Sequence, residues 1–138
     1  MKVELSSSDS ISVRSLVAAL EGARNAADGQ AFAAPMAPDA DFVTIRAEHF
    51  RGRQAIGDGH DAIFRTIYAG SKTKFTIDSA RMIGDEVALL HVRSELDALS
   101  GPLAGRHHAV FSAVLRRRGD GWEIVSFHNT VAPPPQRQ

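Results

Sequence analysis

Residues 106–131 read RHHAVFSAVLRRRGDGWEIVSFHNTV, two strand-like runs meeting at a turn. Arg106–Arg118 and Trp122–Val131 are rich in valine and aromatic side chains that suit a pleated surface. Gly119-Asp120-Gly121 between them is a hairpin turn. Working back toward the N-terminus, Phe75–Ile83 and Glu86–Leu96 repeat the pattern around Gly84-Asp85, and Leu99–Gly105 is a longer loop. The second half of the chain is therefore an antiparallel meander.

The first half has a different period. Ser8-Asp9-Ser10 is a helix start, since Ser8 or Asp9 can accept from the orphan amides of a first turn. Val13, Leu16, Val17, Leu20, Ala23 and Ala27 follow at helical spacing, which predicts a helix over 9–27. Asp28-Gly29 ends it. Gln30–Ala34 allows a further turn or two before Pro35 and Pro38 stop it. Ala40–Ile45 is a short strand, Arg46–His49 a turn and Phe50-Arg51 the return. Arg53–Tyr68 reads as a second long helix with Ile56, His60, Ile63, Phe64 and Ile67 on one face, and Gly70 ends it. Gly57 and Gly59 weaken that helix by about 1 kcal/mol each relative to alanine, which suggests that something packs close to them. The order of elements gives an α+β fold with helices on one face of a sheet.

The 138 residues suit one domain, taken as 9–132, with a flexible stretch over 1–8 and a flexible Pro-rich tail over 133–138. The absence of cysteine excludes disulfide scaffolds and thiol nucleophiles. Sixteen basic against sixteen acidic side chains argue against a nucleic-acid or anionic-membrane surface. No apolar run approaches the ~20 residues of a membrane span, and Met1–Ser6 lacks the apolar core of a signal peptide. The expectation is a cytoplasmic protein that engages neither nucleic acid nor membrane.

Three blocks carry a family resemblance. They are Phe32-Ala33-Ala34 followed by Ala37–Thr44; Gly52-Arg53-Gln54-Ala55-Ile56 followed by Gly59-His60 and Phe64; and Gly121–Val125 running into His128-Asn129-Thr130. In this order and spacing the chain resembles the SgcJ/EcaC family of the nuclear-transport-factor-2-like superfamily, also called SnoaL-like or cystatin-like, over about residues 9–132. The resemblance implies a curved antiparallel sheet wrapped around N-terminal helices to form a cone with a pocket at its open end. It also implies a homodimer through the outer sheet face. Small-molecule members of the superfamily include ketosteroid isomerases, polyketide cyclases and limonene-epoxide hydrolases; others transport or oligomerise, so the fold does not fix an activity.

The ketosteroid isomerase machinery is missing at the aligned positions. Thr44 stands where the carboxylate base would be, Leu20 near the tyrosine, and Ala109–Phe111 has no carboxyl. No Asp-Arg-Asp set for epoxide hydrolysis is evident.

His60 is the candidate catalytic residue, because its helix face points toward the sheet and so toward the cone interior. A buried imidazole needs a partner and is held neutral by burial. It is either a pocket base or a core histidine bonded to the sheet or to Asp41. Phe42, Thr44, Ile56, Phe64, Phe127 and Asn129 are the candidate ligand-binding residues. In the last strand, if Val125 and Phe127 face the cone so does Asn129, while Trp122, Ile124, Ser126, His128 and Thr130 face out; the opposite phase is also open. His91, Arg93 and Glu95 share a face near His107-His108, read as cross-strand polar pairing rather than a metal site, because adjacent strand residues point opposite ways. Arg116-Arg117-Arg118 reads as a solvated hairpin end. No metal or organic cofactor is implied.

Three functions follow: a pocket protein for a hydrophobic small molecule, catalysing proton transfer with His60 as base or assisting natural-product metabolism; a non-catalytic carrier with the same cavity; or an oligomerisation domain with a filled cone. An apolar Trp122 and Ile124 on the outer face would favour the homodimer.

Overall fold

The computed structural model describes residues 2–101 and 104–133. The elements run β1 (Lys2–Glu4), α1 (Ser7–Asn25), α2 (Gly29–Ala33), β2 (Met36–Val43), β3 (His49–Arg51), α3 (Arg53–Arg65), β4 (Lys72–Gly84), β5 (Val87–Ala98), β6 (Gly105–Arg118) and β7 (Gly121–Ala132). They form an α+β fold in which one sheet has the order β1-β4-β5-β6-β7-β2-β3. The meander β4–β7 is antiparallel as expected. The sheet as a whole is mixed, because β1 pairs parallel with β4 and β2 parallel with β7. Each parallel pair joins strands with helices between them in the chain, the connection that parallel pairing requires.

The N-terminus differs from its expectation. Residues expected to be flexible over 1–8 include β1, in register from Lys2 opposite Ser79 to Glu4 opposite Arg81. Pairing of so short a strand rests on backbone groups of an open sheet edge and leaves no side-chain period to read. The cap of α1 is Ser6, whose hydroxyl accepts from the Asp9 amide at 3.1 Å, so the helix begins at Ser7. Apart from Pro133, the tail expected to be flexible lies outside the described residues, as does part of the loop over 99–105.

The prolines do not hold back β2. It begins at Met36, and Pro38 falls where the β2–β7 register breaks between Met36 and Asp41, so its missing N–H deprives no ladder. Helix α3 ends at Arg65, short of Tyr68: the Thr66 hydroxyl donates back to the Ala62 carbonyl at 2.8 Å and the backbone turns away.

Polar side chains of α1 continue the sheet. Beyond β1, the exposed edge of β4 meets Asn25, which accepts from the Thr73 amide at 2.7 Å and donates to the Thr73 carbonyl at 2.9 Å. Glu21 accepts from the Phe75 amide at 2.6 Å. Four residues along a helix rise ~6 Å and two along a strand ~6.8 Å, so the spacings match and α1 acts as a surrogate strand.

The core lies between the inner sheet face and α1–α3. Val13, Leu16, Val17 and Leu20 of α1 meet Met36, Ala40, Ile56, Leu90, Val92, Leu115 and Ile124. A bulge controls the phase of β7: Val114 pairs with Ser126 but Leu115 pairs with Ile124, leaving Val125 over. Trp122 and Ile124 therefore face inward like Phe127, at 9%, 0% and 2% exposure. Neither of the two phases open for this strand holds along its whole length, and Trp122 and Ile124, facing inward, give no support to a homodimer.

Candidate functional site

A cavity of about 470 Å³ opens between the helices and the inner sheet face. Apolar walls come from every layer: Phe32 of α2, Phe42 of β2, Ile63 and Phe64 of α3, Phe75 of β4, Leu96 of β5, Phe111 of β6 and Phe127 of β7, with Ile67 and Tyr68 from the turn after α3. Phe127 is the centre of the aromatic wall, stacked on Phe42 at 4.3 Å and on Phe111 at 4.2 Å between ring centroids. The exposed side chains of Arg46, Glu48, Arg106 and His107 lie at the mouth.

His60 lines this cavity at 6% exposure. Its ring lies 4.5 Å from Phe42, 4.7 Å from Phe32 and 5.6 Å from Phe64. Nδ1 is 2.7 Å from the Ile56 carbonyl oxygen one turn back. A carbonyl only accepts, so Nδ1 carries the proton and Nε2 keeps a lone pair, with no protein partner among the described residues. Burial is the largest influence on this imidazole and pushes its pKa down; the Ile56 carbonyl opposes it, Arg24 adds to the lowering and Asp61 works against it. His60 is neutral at neutral pH. Asp41 is not its partner: that carboxylate accepts from His49 at 2.8 Å, on the sheet edge.

Phe42, Thr44, Phe64, Phe127 and Asn129 line the cavity together with His60. Ile56 does not. It is fully buried in the core beneath, and it contributes only the carbonyl that fixes the histidine tautomer. The Thr44 hydroxyl is occupied by its own loop, accepting from the amides of Arg46 and Glu48 at 3.2 Å each. Asn129 faces inward, and its Oδ1 is buried with no hydrogen-bond partner among the described residues. His128 lies on the opposite face, exposed and in register with Ser112.

Arg24 belongs to the site and has no counterpart among the candidates above. It lines the cavity at 7% exposure, donates from Nη2 to the Ser71 hydroxyl at 2.9 Å, and stands over the rings of Tyr68 at 4.6 Å and Phe64 at 4.9 Å. Burial lowers its pKa to about 10, so it is still charged at neutral pH. The signal was in the sequence: Arg24 falls seven residues after Val17 and four after Leu20, on the apolar stripe. Tyr68 also lines the wall, its phenol pushed up mainly by burial.

Several charges elsewhere pair. Arg117 departs from the solvated hairpin end expected of it: it bonds both oxygens of Asp9 at 3.0 Å and stacks on Trp122 at 4.4 Å, tying the start of α1 to the β6–β7 hairpin. Arg116 and Arg118 bond Glu123 at 2.6 and 3.2 Å. On the outer face Arg93 meets Asp78 at 2.6 Å, and His108 stands opposite Glu95 in register. No group of three metal-capable side chains gathers among the described residues.

A mixed sheet closing over N-terminal helices around an apolar cavity defines a class, the nuclear-transport-factor-2-like or cystatin-like proteins. Within it the chain belongs to the SnoaL-like domain family, which matches residues 13–134. A domain of unknown function with a cystatin-like fold from Nostoc punctiforme is 26% identical, with a TM-score of 0.83 over 94% of this chain and 80% of that one. An uncharacterised cystatin-like protein from Caulobacter vibrioides is 29% identical, with a TM-score of 0.80 over 91% of each. A ketosteroid isomerase-like protein from Erwinia carotovora atroseptica shares the fold at 14% identity, with a TM-score of 0.77 over 94% of this chain and all 100% of its own. No curated protein matches. Thr44, Ala109 and Phe111 line the cavity wall, and Leu20 is buried in the core. No helix among the described residues is long and apolar enough to cross a membrane.

Proposed function

We propose that this SnoaL-like protein, of the SgcJ/EcaC type within the superfamily, holds a hydrophobic small molecule in its cavity and transfers a proton at a carbon beside a carbonyl, with His60 as base. The observation that carries the reading is an open, aromatic cavity in which the His60 lone pair and the Asn129 oxygen have no partner among the described residues. Apolar walls with a few convergent polar groups are the usual make-up of a ligand site. Nε2 takes the proton, the C–H electron pair forms the enolate double bond as the carbonyl π pair moves to oxygen, and the imidazolium returns the proton to that carbon or, where a second double bond is conjugated, to its far end. Asn129 accepts from a ligand hydroxyl or N–H. An open cavity weighs against a domain whose only role is oligomerisation.

One observation favours the second reading, a carrier without catalysis. The His60 Nδ1 partner is a backbone carbonyl rather than a carboxylate, and Arg24 is near, so little stabilises an imidazolium. Deuterium exchange into 2-tetralone, followed by NMR, separates the two. Acceleration by the wild type that His60→Ala abolishes supports the enzyme. Acceleration unchanged in His60→Ala overturns His60 as base, and a bound ketone that does not exchange supports the carrier. A homodimer through the outer sheet face remains part of the proposal, resting on the resemblance; a monomer in sedimentation at micromolar concentration overturns it.

A further inference from the structure

We infer that the cavity selects hydrophobic molecules with an acidic head group, a carboxylate above all, and that Arg24 is the residue that receives it. The inference rests on the reading of the cavity as a small-molecule site. Arg24 is a guanidinium more than nine-tenths buried in the cavity wall, with no carboxylate in ion-pair reach among the described residues. Arg93, Arg106, Arg116, Arg117 and Arg118 each have one.

A guanidinium carries five N–H donors in a fixed fork. Among the described residues the protein uses one of them, in the bond to Ser71. The rings of Phe64 and Tyr68 and the C-terminal end of α1 offset part of the cost of burying the charge, but rings and helix ends do not satisfy N–H groups. Buried charges are ordinarily paired as well as hydrogen-bonded. Glu48, the carboxylate on the cavity lining, is exposed at the mouth and bonded to Thr44. The cavity therefore offers an acidic group a counter-charge and a bidentate fork beside aromatic walls. That combination matches an aromatic or aliphatic acid and leaves its neutral isostere with a desolvated charge to face.

The test uses matched competitors. N-phenyl-1-naphthylamine, a neutral fluorophore, reports occupancy of the cavity, and 2-naphthoate and 2-naphthamide compete with it. In the wild type the acid should displace the probe at a concentration at least ~10-fold lower than the amide, the contribution of one charge-assisted hydrogen bond. Arg24→Met should erase that preference while the probe still binds, and Arg106→Ala at the mouth should leave it intact. Half-molar salt should reduce it little, because the charge is buried. If Arg24→Met does not fold, Arg24→Lys replaces it and should reduce the preference severalfold through loss of the fork. Equal potency of acid and amide, no displacement by 2-naphthoate, a preference that survives loss of Arg24, or one that vanishes with Arg106 overturns the inference. Failure of the neutral probe to bind at all overturns instead the reading of the cavity as a ligand site.

Discussion

Replacing Gly29 by alanine should loosen the contact that places His60. A Cβ there would stand 2.5 Å from the Gly57 carbonyl oxygen and 2.6 Å from an Asp61 carboxylate oxygen, and closer still to the Asp61 backbone nitrogen. Comfortable contact begins at roughly 3.4 Å, so α2 and α3 must part by about 1 Å. Two of the three obstacles are backbone and cannot swing aside. Overpacking of this kind costs about 1–3 kcal/mol. The same shift stretches the 2.7 Å bond from the Gly29 amide to Asp61, a charged acceptor, for about 1.5 kcal/mol more. A loss near 3 kcal/mol corresponds to a Tm lower by roughly 12 °C in a domain of this size. The assay is urea unfolding followed by the fluorescence of the single tryptophan, Trp122, which lies in the core. Gly57→Ala is the comparison. Its Cβ would meet the tip of the Gln30 side chain at 2.7 Å, which can move, and alanine returns about 1 kcal/mol of helix propensity. That variant should come out near neutral. The probe should bind Gly29→Ala more weakly, because Phe32 and His60 sit on the two separated helices. A Gly29→Ala loss below about 0.5 kcal/mol, or equal losses in both variants, would refute the reasoning.

Other expectations follow from the same contacts. His60 has a folded pKa below its ordinary 6.5, so the unfolded chain binds the extra proton first and stability falls as pH drops below 6.5; His60→Phe, compared by urea midpoints between pH 7 and 5, should flatten that part of the profile. The Arg117 bonds hold Asp9 below its ordinary 3.8, and Arg116 and Arg118 hold Glu123 below 4.5. Their stabilisation is complete well above those values and lost as pH falls through the lowered ones, so Asp9→Asn should weaken the fold at pH 7 and shrink the difference between pH 7 and 3. Asn25→Ala and Glu21→Ala should each speed hydrogen exchange at the Thr73 and Phe75 amides by ~10-fold or more, with a global loss of about 1 kcal/mol; unchanged exchange would mean that the helix does not close that edge.

The parts of the fold that could be read in the sequence are those set by side-chain period. The meander alternates, α1 and α3 carry apolar stripes, and the close packing inferred at Gly57 and Gly59 is there, against Gln30 and the Phe50 ring. His60 was legible for the same reason, as a polar residue on an apolar face. What escaped lacks such a signature. β1 is a three-residue strand at a sheet edge, too short to show a period, Pro38 sits in a register break visible only against β7, and the Val125 bulge contains neither glycine nor proline to mark it. Ile56 has the helical phase of His60 yet lies in the core, because phase gives a direction and not a depth. Arg24 lies on the apolar stripe of α1 beside Ala23 and Ala27, which complete the period without it.

The Val125 bulge divides the last strand by occupation. Before it, Trp122 and Ile124 serve the closed core; after it, Phe127 serves both core and cavity and Asn129 the cavity, and the extra residue lets both halves look inward. Beyond Phe127, which packs in both, the cavity wall at Asn129 can change without disturbing the packing that keeps the chain folded. Such a partition gives natural drift, or a designer, a strand whose last residues can be rewritten while the rest stays fixed.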